Sequence, residues 1–218
     1  MYKRQTLIGG LGNDSYYVDD AGDVVTEVAN QGTDIVYSTA THSLGAEIEN
    51  LTLLGSSAID ATGNSLNNLI MGNGAANMLM GGAGNDTLTG GLGNDTYGLS
   101  LGSGQDVIND IDSTANNSDK LSLGAGVAKE QVWLTRVGQD LAVSIIGTTD
   151  KVTISNWYAG SANRVEALQT QSGNTLSVNQ VQNLVNAMAS FSAPAVGTTT
   201  LDSGTYASVL SVIAANWS

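Results

Sequence analysis

The sequence predicts an all-β chain: a right-handed parallel β-roll, that is a β-solenoid, followed by a small antiparallel β cap and a short C-terminal helical segment. Three observations carry this. Six-residue glycine turns recur as Gly9-Gly-Leu-Gly-Asn-Asp14, Gly81-Gly-Ala-Gly-Asn-Asp86 and Gly90-Gly-Leu-Gly-Asn-Asp95, the last two nine residues apart. In that nine-residue frame an apolar residue falls two places after most of the sixth positions. The chain holds 27 glycines and 1 proline, a composition of ordered tight turns and not of a proline-rich linker.

The frame extends in both directions. Counting back from Asp86 by nines gives Asn77, Asn68, Ile59 and Asn50, and counting on from Asp14 gives Asp23. Asp34 and Asp106 each arrive eleven residues after Asp23 and Asp95. The step from Asp34 to Asn50 breaks the frame, so a larger loop is expected over 37–45. The inward residues are then Tyr16, Val25, Val36, Thr52, Ala61, Ile70, Leu79, Leu88, Tyr97 and Ile108. Glycines let the first six residues of each unit turn tightly, and the last three form a short strand with its middle side chain facing inward. Two units make one coil, and stacked coils bury a ladder that no single coil could bury alone. Flanking residues face outward, which puts Leu51, Leu53, Leu69 and Met71 on one outer face and Met78 and Met80 on the other. Coverage of that apolar patch by the cap or the 37–45 loop is expected ahead of a partner site.

Charge narrows the function. Seven Lys and Arg stand against 20 Asp and Glu, a net charge of −13, so the chain repels phosphate backbones and anionic lipid and suits the collection of cations. Neither a nucleic-acid partner nor a membrane span is expected, because no apolar run approaches the roughly 18 residues a span needs. The absence of Cys removes disulfides and thiolate metal sites. Residues 1–5 are basic and run straight into a repeat without an apolar leader, and are read as an artefact or a truncated start.

The GGxGxDxUx pattern at nine-residue period resembles the RTX, or haemolysin-type, calcium-binding repeat over residues 6–112, most specifically in the tandem at 81–98. The resemblance implies calcium as the bound ion and units two apart clamping it between their loops. On this pattern Asp86 faces Asp106, Asn77 faces Asp95, Asn68 faces Asp86 and Asp14 faces Asp34. Asp86 with Asp106 is expected to be the tightest site, and the Asn68 and Asn77 loops weak or empty. Carbonyls of Gly82, Gly84, Gly91 and Gly93, with Asn85 and Asn94, supply further oxygens beside Asp95. Calcium is hard and takes six to eight oxygens in irregular geometry, which glycine turns and carboxylates can offer. An isolated turn of this composition can also be only a turn, its Asp capping its own backbone.

Calcium then becomes a folding ligand, because stacked carboxylates repel one another without it. Extracellular modules bind at about 10⁻⁴ to 10⁻³ M. At calcium tenfold above the dissociation constant each site adds about 1.4 kcal/mol. The family resemblance also implies a secreted, extracellular bacterial protein, an upstream domain, and a C-terminal signal read transiently by type I secretion machinery.

Residues 113–175 are read as a β-rich cap over the open end of the roll. Val132 to Val137 and Leu141 to Ile146 form a hairpin about a Gly-Gln-Asp turn, and Lys151 to Trp157 a further strand. This stretch, from Gly102-Ser-Gly-Gln-Asp106 to Asn156-Trp157-Tyr158, resembles the haemolysin-type calcium-binding related segment. Trp133 and Trp157 are read as core. Residues 176–218 carry an amphipathic helix capped by Ser177, with Val178, Val181, Leu184, Val185 and Met188 at helical spacing, and a weak final helix with Tyr206, Val209, Leu210 and Ile213. That region is also where the secretion signal is expected. No catalytic role is expected: His42 is the one histidine, placed in the predicted loop, and no GxSxG, HExxH or GxxxxGK[ST] motif occurs. The alternatives are a surface adhesin or structural solenoid, or the C-terminal part of a secreted hydrolase or toxin.

Overall fold

The computed structural model describes residues 4–29 and 32–218. Of the expected start at 1–5, residues 1–3 lie outside this description. Glycine turns break helices and leave only a few residues between them, which is room for short strands. The strands are β1 (Thr6–Ile8), β2 (Ser15–Val18), β3 (Val24–Thr26), β4 (Ile35–Ser38), β5 (His42–Ser43), β6 (Asn50–Leu53), β7 (Ala61–Thr62), β8 (Leu69–Met71) and β9 (Met78–Met80). They continue as β10 (Thr87–Thr89), β11 (Thr96–Leu99), β12 (Gln105–Ile108), β13 (Lys120–Leu123), β14 (Val132–Val137), β15 (Asp140–Ile145), β16 (Lys151–Ile154), β17 (Ala167–Thr170) and β18 (Thr175–Ser177). Helices α1 (Val178–Met188) and α2 (Ala207–Asn216) close the chain.

Successive strands of the repeat region alternate between two walls. One wall runs β14-β15-β16-β12-β10-β8-β6-β4-β2, the other β18-β17-β13-β11-β9-β7-β5, and β1 pairs with β3. Pairing is parallel from β2 to β16 on the first wall and from β5 to β17 on the second. This is the layout of a flattened roll. Its inward ladders are Tyr16, Val36, Leu51, Ile70, Leu88, Ile108 and Ile154 on one wall, and His42, Ala61, Leu79, Tyr97, Leu121 and Leu168 on the other. All are buried, each large apolar one contributing about 1.5–3 kcal/mol against exposure.

Four expectations are corrected. Leu51, not Thr52, is the inward residue of β6, paired with Val36 and Ile70. The step from Leu51 to Ala61 is ten residues, so counting by nines slips by one place and flips the strand. Leu51 and Leu53 are therefore buried and leave the outer patch, while Leu69, Met71 and Met78 remain 43–47% exposed and uncovered. The expected loop at 37–45 is instead a rung: β5 puts His42 against Ala61 and buries Leu44. The parallel ladder also does not stop at 112, because β16 and β17 extend both walls.

Beyond the last rungs, β14 and β15 form the expected antiparallel hairpin, Val132 opposite Ile145 through Val137 opposite Asp140. The Ser177 N–H donates to Gln180 Oε1 (2.8 Å) and starts α1, whose Val181, Leu184, Val185 and Met188 are buried on β14 and α2. Val209 and Ile213 of α2 are buried, as are Trp133 and Trp157, Trp133 meeting Tyr206 edge-on at 5.8 Å.

Candidate metal centre

The turns stack as closely as the strands. Gly82 (φ 100°) and Gly84 (φ 118°) hold left-handed conformations that other residues avoid, and a Cβ on either would strike the carbonyl oxygen of Asn64 or Leu66 in the coil below. Gly91 and Gly93 repeat the arrangement over Asn73 and Ala75. Each turn then ends in an acid or amide that the preceding coil grips. On the first wall the Asp14 N–H donates to Asp34 Oδ1 (2.7 Å), the Asp34 N–H to Glu49 Oε2 (2.8 Å), the Asn68 N–H to Asp86 Oδ1 (2.7 Å) and the Asp86 N–H to Asp106 Oδ1 (3.0 Å). On the second, the Asn77 N–H donates to Asp95 Oδ1 (2.8 Å), the Asp95 N–H to Asp119 Oδ1 (2.7 Å) and the Asp119 N–H to Glu166 Oε2 (2.8 Å). The four sequence-derived pairs are thus neighbours in space.

One oxygen of each gripped acid is spent this way. The other, Oδ2, is buried without a hydrogen-bond partner in Asp86 and Asp95, and Asp14 Oδ2 is likewise buried and partnerless. In Asp86 and Asp95 it folds over the first glycine of its own unit, into the space a Cβ on Gly81 or Gly90 would fill. The asparagine units resolve the same geometry differently. Asn68 Oδ1 accepts from the Asn64 N–H (2.8 Å), and its Nδ2 donates to the carbonyls of Ile48 (3.1 Å) and Glu49 (3.2 Å). Asn77 does likewise with the Asn73 N–H and the Ile59 carbonyl. An amide has donors for those carbonyls; a carboxylate has none. Where Asp replaces Asn, the second oxygen has no donor to accept from, and a buried acceptor left unpaired costs about 1–3 kcal/mol. Oxygen-only surroundings of negative charge fit a hard cation such as calcium.

Burial raises the acids of these turns. Burial pushes Asp95 up to about 7, with Asp119 and Asp112 adding to the rise against the Asn77 N–H. Burial likewise lifts Asp106 to about 6, opposed by the Asp86 N–H and assisted by Asp86 and Asp150. Asp86 is raised by burial, and Asp110 by burial together with its contact to Asp119.

Several residues are placed otherwise than expected. Asn85 Oδ1 accepts from the Gln105 N–H (2.9 Å) and Asn94 Oδ1 from the Ser118 N–H (3.0 Å), so both side chains bridge coils and only their backbone carbonyls stay free for an ion. Asp23 is gripped like the ladder acids, its Oδ1 accepting from the Gln5 N–H of the preceding coil (2.8 Å), but its Oδ2 also accepts from the Asp20 N–H of its own turn (3.3 Å), so neither oxygen is left over. Glu49, Asp119, Asp150 and Glu166 also belong to the acid ladders, beyond the residues the glycine repeat points to. Their signal was present: each stands two places before an inward Leu51, Leu121, Val152 or Leu168, without the glycines that mark the other units.

Comparison with known proteins agrees with this geometry. Residues 39% identical over a 67-residue stretch, 31% of this chain, relate it to the endo-1,3-1,4-beta-glycanase ExsH of Rhizobium meliloti (strain 1021). The match spans 14% of that protein's length. Residues 140–180 match the haemolysin-type calcium binding protein related domain. Residues 62–97 match the RTX calcium-binding nonapeptide repeat (4 copies), a family whose repeats bind Ca²⁺. The stacked glycine turns with their orphaned carboxylate oxygens and the match over residues 62–97 together show that this part of the chain consists of RTX, haemolysin-type calcium-binding repeats.

Proposed function

We propose that the chain is the calcium-dependent folding module of a longer secreted protein, that it folds outside the cell, and that it has no catalytic role of its own. Calcium is held between Asp86 and Asp106, beside Asp95, and between Asp14 and Asp34, with carbonyls of Gly82, Gly84, Gly91 and Gly93 completing the oxygen set. The observation that carries this reading is the buried, partnerless Oδ2 of Asp86 and of Asp95, each over its own glycine turn. The ion supplies positive charge that the turns lack, so its binding energy becomes folding energy. Low calcium inside a cell leaves such a chain extended, and higher calcium outside closes the roll. In this reading the ion-dependent roll begins at residue 6 and takes in the parallel strands β13, β16 and β17 beyond residue 112, the β14–β15 hairpin is its cap, and residues 176–218 are the region addressed by type I secretion machinery.

Far-ultraviolet circular dichroism during calcium titration tests the switch, with ion counting on wild type and on Asp86→Ala combined with Asp106→Ala. A coil-to-sheet transition and a lower ion count in the double variant are expected. A chain equally folded in chelator, or an unchanged count, refutes the assignment.

The glycanase match favours one second reading for the parent protein. The module in that reading accompanies a catalytic portion that cleaves a β-linked glycan. A β-glycan hydrolysis assay on the full-length protein and on this module separates the two, activity being expected in the former alone.

A further inference from the structure

The octapeptides Gly9 to Tyr16 and Gly90 to Tyr97 differ only in Ser15 against Thr96, and both place tyrosine where the intervening unit has Leu88. Their surroundings share a second feature. From the pairing of Leu7 with Val25, Glu27 lies over Gly9, and from that of Leu88 with Ile108, Asp110 lies over Gly90. Over Gly81, by the pairing of Leu79 with Tyr97, lies Leu99. Tyrosine and an additional acid therefore occur together, and leucine occurs without one.

The first copy is an open set of acceptors. Carboxylate oxygens of Asp14, Glu27 and Asp34 lie within 4.8 Å of one another. Asp14 Oδ2, Glu27 Oε1 and the Tyr16 hydroxyl surround the position a Gly9 Cβ would take, and all three are buried without a partner. Tyr16 itself is only 6% exposed, so its hydroxyl is sealed in with the carboxylates. In the second copy the Tyr97 hydroxyl accepts from the Gly90 N–H (2.9 Å) and donates to Asp110 Oδ1 (3.1 Å). Asp110 Oδ2 and Asp95 Oδ2 remain partnerless, and Asp119, gripped by the Asp95 N–H, is buried beside them.

Resting on the calcium reading above, we propose that the two tyrosine units are a distinct class of cation site in which a third carboxylate, Glu27 or Asp110, joins the turn pair. The first comprises Asp14, Glu27 and Asp34 with Tyr16; the second comprises Asp95, Asp110 and Asp119 with Tyr97. The donors are all oxygen, without His or Cys, so the ligand is a hard divalent ion. Three carboxylates exceed the charge of one such ion, which makes these sites more demanding of a cation than the Asp86 turn. The 27–34 segment lacks the full glycine set, and Glu27 supplies the oxygen that turn carbonyls provide elsewhere.

Equilibrium dialysis against calcium on wild type, Glu27→Gln, Asp110→Asn and the double variant counts the ions. One ion fewer in each single variant and two fewer in the double are expected. The double variant binding as many ions as wild type overturns this inference alone. A wild type that binds no calcium overturns the turn reading and this inference with it. Terbium emission excited through tyrosine is the second measure, and does not require the acid variants to fold. Tyr16→Phe with Tyr97→Phe should remove most of the sensitised emission; unchanged emission overturns the inference.

Discussion

The Asp86 N–H donates to Asp106 Oδ1 across 3.0 Å, so the acid of one coil is fastened by the backbone of the coil before it. Asp86 is fastened in turn through Oδ1 by the Asn68 N–H, which leaves its Oδ2 buried without a partner. Asp86→Asn keeps Oδ1, which the Asn68 N–H fastens, and trades the buried, partnerless Oδ2 for an amide that can donate. We expect metal-free stability to rise by about 1–3 kcal/mol, as an unfavourable buried group is relieved, while the bound-ion count falls. Urea unfolding in chelator, set beside calcium binding, checks both.

The converse holds at Asn77. Its Nδ2 donates to the Ile59 carbonyl, and Asn77→Asp puts an acceptor there instead. Stability in chelator should fall by about 1–3 kcal/mol and be restored by calcium, which the native asparagine unit does not need. Thermal unfolding with and without the ion is the measurement.

Acidity should act in the opposite sense to calcium. Asp95 and Asp106 are raised to about 7 and about 6 from an ordinary 3.8. Between 3.8 and those values the folded chain holds more protons than the unfolded one, so its stability falls as pH rises through that window. The metal-free roll is then expected to gain sheet signal as pH is lowered from 8 to about 5, and calcium uptake near pH 6 to release protons. Circular dichroism in chelator and a pH-stat follow the two effects.

The corrected register of β6 makes a direct comparison possible. Leu51→Ala empties a fully buried position and should cost about 2–5 kcal/mol, whereas Thr52→Ala on the outer side should stay within about 0.5 kcal/mol. Equal losses would restore the nine-residue count at this strand.

Glycine decided what could be read from residues alone. Between Gly81 and Gly98 the turns announce themselves, and Leu79, Leu88 and Tyr97 were assigned inward without the structure. Helix α1 was equally plain, because Ser177 and the spacing of Val181, Leu184, Val185 and Met188 agree. At 37–61 no glycine pair fixes the phase, so the nine-residue count places His42 in a loop and Leu51 on the outside. Asp119, Asp150 and Glu166 escaped for the same reason: their carboxylates are fastened by hydrogen bonds from residues 24 to 48 places earlier, a distance no local pattern reveals. Glu27 and Asp110 gain meaning only once the coils are stacked, since nothing near them in the chain is their partner.

Alternation of the walls makes the length of this molecule countable only in twos. Cutting out a lone nonapeptide would carry every later rung to the opposite side, so that Tyr97 would land on Ile70 in place of Leu79 and each acid would lose the backbone that grips it. Excision of eighteen residues would instead leave the remaining stack in phase, one storey shorter.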